Sequence, residues 1–159
     1  MSKLKDKKVL VTGATGFVGA HLTRKLLSFG AQVSIFVRPS SDKKIVSELE
    51  RFGANVIFGD ISNSKDVFDA VFGNEYVFHI AALFRQAKHP PEIYHQVNVE
   101  GTRHILDAAE KFSVKRVIHC STVGVHSHIP NPPASEDEPY RPADIYQHTK
   151  CEGEKLAKS

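Results

Sequence analysis

Short apolar runs alternate with longer amphipathic stretches along the chain. Val9 to Val11 opens the pattern, and after it Val18, Leu22, Leu26 and Phe29 recur at helical spacing, with Gly30 placed as a helix C-terminal cap. Val33 to Val37 forms the second apolar run and stops at Arg38-Pro39-Ser40-Ser41. Asp42 then opens a weak helix to about Arg51, and Asn55 to Phe58 gives a third run closed by Gly59-Asp60. Asp66 to Phe72 carries Val67, Ala70 and Val71 on one helical face and ends at Gly73-Asn74. Tyr76 to Ile80 is the fourth strand, followed by Ala81-Ala82 and an irregular stretch from Leu83 to Pro91 that is placed to line a ligand. The longest helical pattern, Glu92 to Phe112, aligns Ile93, Val97, Gly101, Ile105, Ala108 and Phe112. Val114 to His119 reads as the fifth strand.

Five strands alternating with helices predict an α/β fold: a Rossmann-like, doubly wound parallel sheet with right-handed crossovers and strand order 3-2-1-4-5. The chain has 159 residues, 41% apolar and 25% charged, which suits one domain with a real core. Its net charge of +3 is dispersed apart from Lys3, Lys5, Lys7 and Lys8, so no nucleic-acid surface is indicated. The apolar run after that cluster is too short for a signal peptide or a membrane span, which places the expected site of action in the cytoplasm. Cys120 and Cys151 form neither a C-x-x-C pair nor a ladder, and both are expected as reduced thiols.

The first strand breaks into Gly13, Gly16 and Gly19, spaced three apart. A strand, a glycine turn and a helix in that order cradle a dinucleotide: Gly13 turns the chain, Gly16 lets the backbone approach a pyrophosphate, and Gly19 lets the helix pack closely. The same glycines also serve any tight turn. Arg38 follows the second strand, where an adenosine ribose would lie. An acidic residue there would bind a free 2′-hydroxyl, whereas an arginine pairs with a 2′-phosphate, so NADP is favoured over NAD. The alternative is a plain surface charge beside a turn.

Tyr146 and Lys150 are four residues apart after a proline-rich connection from Pro130 to Pro142. On a helix they share a face, and an ammonium beside the phenol brings phenolate closer to neutral pH. With Thr12 before the glycine turn, these features resemble the short-chain dehydrogenase/reductase superfamily. His79-Ile-Ala-Ala82 and Asn98-Val-Glu-Gly-Thr102 resemble its extended branch, and the whole is similar to the NAD-dependent epimerase/dehydratase group. Dihydroflavonol-reductase-like and 3β-hydroxysteroid-dehydrogenase-like enzymes stand close by.

The resemblance implies site residues. Gly13, Thr15, Gly16, Phe17, Val18 and Gly19 would hold the dinucleotide's phosphates. Asp60 would accept from the adenine amino group, with Ile61 beside it, although Asp60 also suits a cap for the turn at Ser62 to Ser64. Ala81 and Ala82 would leave room for the cofactor to cross. Asn98 would help order the active site, or simply mark a partly buried position. Tyr146 would be the general acid or base and Lys150 would also bond the nicotinamide ribose. Aligning Val117 to Val125 with the family's strand places Thr122, 24 residues before Tyr146, at the substrate-orienting hydroxyl, with Ser121 as its neighbour and runner-up.

The nine histidines show no metal-ligand spacing, and the group needs no metal. His79 and His119 are expected to end neighbouring strands as satisfied near-core residues. Members of the group continue past the tyrosine helix into a smaller substrate-binding domain, so residues 1–159 read as the NAD(P)-binding domain alone, an amino-terminal piece. The implied partners are a small-molecule substrate, with nucleotide sugars as the group's class, and a second copy in a homodimer. Three activities stay open: a sugar-nucleotide epimerase or dehydratase, an NADPH-dependent ketone or aldehyde reductase, and a cofactor-binding fragment without turnover.

Overall fold

A computed structural model describes residues 3–84 and 89–159. Five parallel strands, β1 (Lys8–Thr12), β2 (Gln32–Val37), β3 (Asn55–Phe58), β4 (Tyr76–His79) and β5 (Arg116–His119), pair in the order β3-β2-β1-β4-β5. This is the expected Rossmann-like order. β5 begins two residues later than the apolar run suggests, at Arg116.

The sheet is covered on both faces. Val9 and Val11 of β1 point to the same side as Val33, Ile35 and Val37 of β2, against Leu26 of α1 (Phe17–Ser28) and Val46 and Leu49 of α2 (Lys43–Arg51). Leu10, Phe36 and Val77 face the other way, against Val67 and Val71 of α3 (Ser64–Val71) and Ile105 and Ala108 of α5 (Gly101–Lys111). Strands buried on both faces need apolar residues at successive positions, which is why β1 and β2 read as continuous runs.

Two helices start where side chains cap them. The Asp42 carboxylate accepts from Lys44 N–H at 2.8 Å, and Asn63 Oδ1 accepts from Asp66 N–H at 3.3 Å, so α3 begins at Ser64 rather than Asp66. Gly30 and Gly73 follow their helices at φ +79° and +76°, the left-handed geometry that glycine adopts without cost.

Two expected faces are corrected. In α1 the buried residues are Gly19, Ala20, Thr23 and Leu26, while Val18 is 53% and Phe29 40% exposed. The start of the helix lies so close to the turn after β1 that small residues take its inner face there, and Leu26 reaches the core farther along. The longest helical pattern is interrupted: α4 (Pro91–His95) runs into a π-helical segment, Gln96–Glu100, before α5. The buried residues of this stretch are Tyr94, Asn98 and Val99, with Ile93 and Val97 only partly buried and Val97 packed at the core's margin, and the Gly101, Ile105 and Ala108 stripe follows as expected. The last helix, α6 (Ile145–Lys158), packs against the π segment and α5. No helix among the described residues is long and apolar enough to cross a membrane.

Candidate active site

The carboxyl ends of β1, β4 and β5 stand level, with Thr12 opposite His79 and His79 opposite His119. The chain departs to opposite sides of the sheet from β1 and β4, and such a switch point opens a crevice beyond the strand ends.

The glycines at this edge have different reasons for being glycine. Gly13 sits at φ +69°, and a Cβ there would lie 2.7 Å from the Ala81 nitrogen. A Cβ on Gly19 would lie 2.1 Å from the Gly13 oxygen, so the close approach is to the turn itself. Gly16 is unlike both. Its φ of −80° and ψ of 170° suit any residue, it is exposed, and an added Cβ would meet only the Gly13 oxygen, at 3.3 Å. The fold therefore makes little demand for glycine at 16, whereas a ligand passing over the turn would. Gly16 also precedes the twelve-residue α1, whose first N–H groups have no side-chain cap and no acidic residue in the first turn. Free N–H groups at the positive end of a helix suit a pyrophosphate, so the donor set fits a dinucleotide. Thr15 lies partly buried in the turn, whereas Phe17 and Val18 stand exposed at the start of α1, with the Phe17 ring against His21.

At the far end of the edge Arg38 and Asp60 follow neighbouring strands, joined by the Gly59 N–H bond to the Val37 carbonyl. Arg38 is exposed, and its guanidinium makes no ion pair among the described residues. Asp60 does cap a turn: its Oδ1 accepts from Ser62 N–H at 2.9 Å and from the Ser62 hydroxyl at 2.7 Å. Ile61 is buried, wedged against Gly101 of α5.

Ala81 and Ala82 leave β4 with partly buried and exposed positions. The Ala81 N–H donates to the Thr12 hydroxyl at 3.1 Å. Of the stretch from Leu83 to Pro91, residues 85–88 lie outside the described residues. Phe84 stands edge-on to Tyr146, ring centres 4.9 Å apart, so this stretch borders the tyrosine.

Asn98, 2% exposed, joins three elements. Its Oδ1 accepts from Leu83 N–H at 2.7 Å, while Nδ2 donates to the Leu83 carbonyl at 3.2 Å and to the Thr149 hydroxyl of α6 at 3.0 Å. Gly153 permits the contact, since a Cβ there would lie 2.8 Å from the Asn98 carbonyl.

Tyr146, Lys150, Glu154 and Lys158 recur every fourth residue along α6. Lys150 is 3% exposed, and its Nζ donates to the Cys120 carbonyl at 2.7 Å. Burial pushes its pKa down, opposed by Cys120 and the Glu154 carboxylate. Ser121 and Thr122 differ in what they offer. The Ser121 hydroxyl donates to Glu154 Oε2, so its proton is committed. Thr122 Oγ1 accepts from Gly124 N–H at 3.1 Å, and its own proton is not engaged among the described residues.

Glu154 and Tyr140 were not among the residues the sequence singled out. Glu154 receives Tyr140 OH at 2.7 Å and Lys158 Nζ at 2.7 Å, tying the proline-rich connection to α6. Burial raises the Glu154 carboxyl, but hydrogen bonds from Lys158, Ser121 and Tyr140 outweigh it and hold the pKa at about 2, below the ordinary 4.5. Burial, helped by the Lys150 charge, lowers His119 from 6.5 to about 4. Both shifts act in one direction. The His119 contribution to stability is complete above 6.5 and is lost as pH falls toward 4, and the Glu154 contribution is lost between 4.5 and 2. Glu154→Gln is expected to flatten the lower step by about 1 to 2 kcal/mol, reduced from the full linkage value because water and salt screen the exposed Lys158 partner. Urea unfolding of both proteins at pH values above and below 4.5 measures it.

Among the described residues no three His, Cys, Asp or Glu side chains are grouped to hold a metal. Both cysteines are free thiols.

A dinucleotide groove beside a Tyr-Lys helix defines a class of nicotinamide-dependent oxidoreductase folds, and the comparisons place the chain within it. The sequence model of the NAD dependent epimerase/dehydratase family matches residues 9–159, and the chain belongs to that family. It is 34% identical over 148 residues to sterol demethylase protein B of Methylococcus capsulatus, covering 91% of this chain and 44% of that protein. It is 36% identical over 160 residues to the 3-beta-hydroxysteroid dehydrogenase of Mycolicibacterium neoaurum, covering 94% and 42%. In structure it resembles a short-chain dehydrogenase/reductase superfamily protein of Agrobacterium tumefaciens with bound NAD, at TM-score 0.81 and 32% identity, covering 93% of this chain and 43% of that one. The chain thus spans less than half the length of these relatives.

Proposed function

We propose that this chain carries the cofactor-binding and acid–base half of an NAD(P)-dependent oxidoreductase that interconverts a secondary alcohol and a carbonyl. The observation that carries the reading is the joint placement of an exposed, conformationally undemanding Gly16 at the head of α1 and a buried Lys150 one turn from Tyr146. A bound nicotinamide dinucleotide supplies the hydride donor or acceptor. Gly13, Thr15, Gly16, Phe17, Val18 and Gly19 line its phosphates, Asp60 and Ile61 border the adenine, and Ala81 and Ala82 leave its path clear. Tyr146 moves a proton at the substrate oxygen. The Lys150 ammonium lies on the same face and favours phenolate; its present bond to the Cys120 carbonyl fixes the side chain. Thr122 is the better of the two hydroxyls for holding that oxygen, because Ser121 has already given its proton to Glu154. Asn98 keeps the Leu83 turn in register with α6.

The relatives of the sterol and hydroxysteroid kind support a dehydrogenase or reductase. The family's own description supports a second reading, an epimerase or dehydratase acting on a nucleotide sugar. A cofactor that stays bound through gel filtration favours the epimerase, and one that exchanges freely favours the reductase. Arg38, exposed and without an ion pair, supports NADP over NAD. Calorimetric titration tests the whole proposal: both dinucleotides are expected to bind, and Arg38→Ala is expected to weaken NADP more than NAD by about 1.5 to 3 kcal/mol, the range for a charged hydrogen bond. Binding of neither overturns the proposal, and equal losses return Arg38 to a surface charge.

A further inference from the structure

His79 ends β4 and is 1% exposed, and hydrogen-bond accounting fixes every proton around it. The Thr12 hydroxyl oxygen accepts from Ile80 N–H at 3.2 Å and from Ala81 N–H at 3.1 Å. Its single proton is left for its third neighbour, His79 Nδ1, at 2.9 Å. Nδ1 is therefore the bare, accepting nitrogen. On the other side the Thr102 hydroxyl lies 2.7 Å from the Asn98 carbonyl, to which it can only donate. Facing His79 Nε2 at 3.0 Å, that hydroxyl must accept, so Nε2 carries the ring proton.

We propose that His79 is a positioning residue: a neutral imidazole, protonated at Nε2, that carries a one-directional chain of hydrogen bonds from the amides just past β4, through the last residue of β1, to the π segment. The chain runs from the Ile80 and Ala81 amides through Thr12, His79 and Thr102 to the Asn98 carbonyl. The Asn98 side chain then holds Leu83 and Thr149, so both margins of the crevice are referred to one ring. The inference rests on the functional reading above only in taking that crevice for the cofactor's and α6 for the catalytic helix.

An imidazolium could not serve. A proton on Nδ1 would point at a hydroxyl whose oxygen already accepts twice. Burial disfavours the charged ring, and the two ionisable groups that bear on it, His119 from β5 and Lys150 from α6, push the same way, well below 6.5. The neighbouring His119 ring, 5.2 Å away, has both nitrogens buried without a hydrogen bond among the described residues, so of the two rings it is His79 that carries the chain.

Nitrogen-15 spectra of the imidazole rings test the proposal directly, with the His79 signals assigned by their loss in His79→Gln. The expected result is a protonated Nε2 and a bare Nδ1, unchanged from about pH 5.5 to 8. Thr102→Val, which keeps the shape and removes the hydroxyl, is expected to speed exchange of the Leu83 amide about tenfold and to weaken dinucleotide binding about fivefold, the scale of one buried hydrogen bond. The amides of Val46 and Leu49, across the sheet, should not change, and Thr102→Ser should restore both readouts. A proton on Nδ1, a ring that titrates in that range, or unchanged Leu83 exchange would overturn the proposal. Should Thr102→Val fail to fold, the wild-type ring spectra and Thr102→Ser still decide it. Absence of dinucleotide binding in the wild type would remove the functional reading, while the ring protonation and the Leu83 exchange would still judge His79.

Discussion

Gly16→Val abolishes dinucleotide binding and leaves the chain folded: this is the outcome expected from calorimetry alongside a circular-dichroism melt. The backbone at 16 is extended, a region that valine favours, and a Cβ meets only the Gly13 oxygen at 3.3 Å. The larger side chain would instead occupy the space over the α1 terminus that a pyrophosphate needs. A loss of at least about 100-fold in affinity, near 2.7 kcal/mol, is expected. Gly13→Ala and Gly19→Ala should behave differently, because their methyl groups would sit 2.7 Å from the Ala81 nitrogen and 2.1 Å from the Gly13 oxygen. Those variants should lose the fold before they lose the ligand. Gly16→Val with unchanged affinity for NAD and NADP would remove the phosphate-turn reading.

Tyr146→Phe should leave dinucleotide affinity within about twofold and lower turnover of an alcohol or ketone substrate by about 100- to 10,000-fold, the contribution of a positioned acid or base. Phenylalanine preserves the edge-on contact with Phe84, so the α6 surface should remain intact. Lys150→Met is a harsher change. It removes the ammonium and also leaves the Cys120 carbonyl without its partner, so a lower melting temperature should accompany the lost turnover. Steady-state kinetics with both variants separates the two roles. Turnover in Tyr146→Phe equal to wild type would shift the proton-transfer role elsewhere.

The strand order was legible because both sides of this sheet are covered, and buried strands such as Val33 to Val37 announce themselves as unbroken apolar runs. The glycine turn and the Tyr146-Lys150 spacing were legible for a different reason: each is a local pattern whose geometry follows from a few consecutive residues. What escaped was non-local. Nothing in the apolar spacing of Glu92 to Phe112 distinguishes a π turn from continuous α-helix, and the bonds of Asn98 within it go to Leu83 and Thr149, in other segments. The inner face of α1 was misread because apolarity pointed to Val18 and Phe29, whereas proximity to Gly13 selected Gly19, Ala20 and Thr23. Glu154 had a visible signal, the fourth-residue repeat after Tyr146 and Lys150, but its partners Ser121 and Tyr140 come from separate segments. Of the two roles expected for Asp60, the turn cap is formed, its Oδ1 accepting from Ser62 at the sheet edge.

The Gln96–Glu100 turn amounts to a surplus residue absorbed within a helix. Deleting a single residue there would let the hydrogen-bond ladder close as ordinary α-helix, and because the π turn already absorbs one residue, the turns before and after it would keep their faces. Tyr94 would stay on its buried side and Gly101 and Ile105 against the sheet, while the bulged backbone from which Asn98 reaches Leu83 and Thr149 would be lost. The shorter helix would be more regular and the crevice would lose its clamp. In this stretch, chain length is itself a determinant of the site, and an indel between Pro91 and Gly101 would be less tolerable than many substitutions at the same positions.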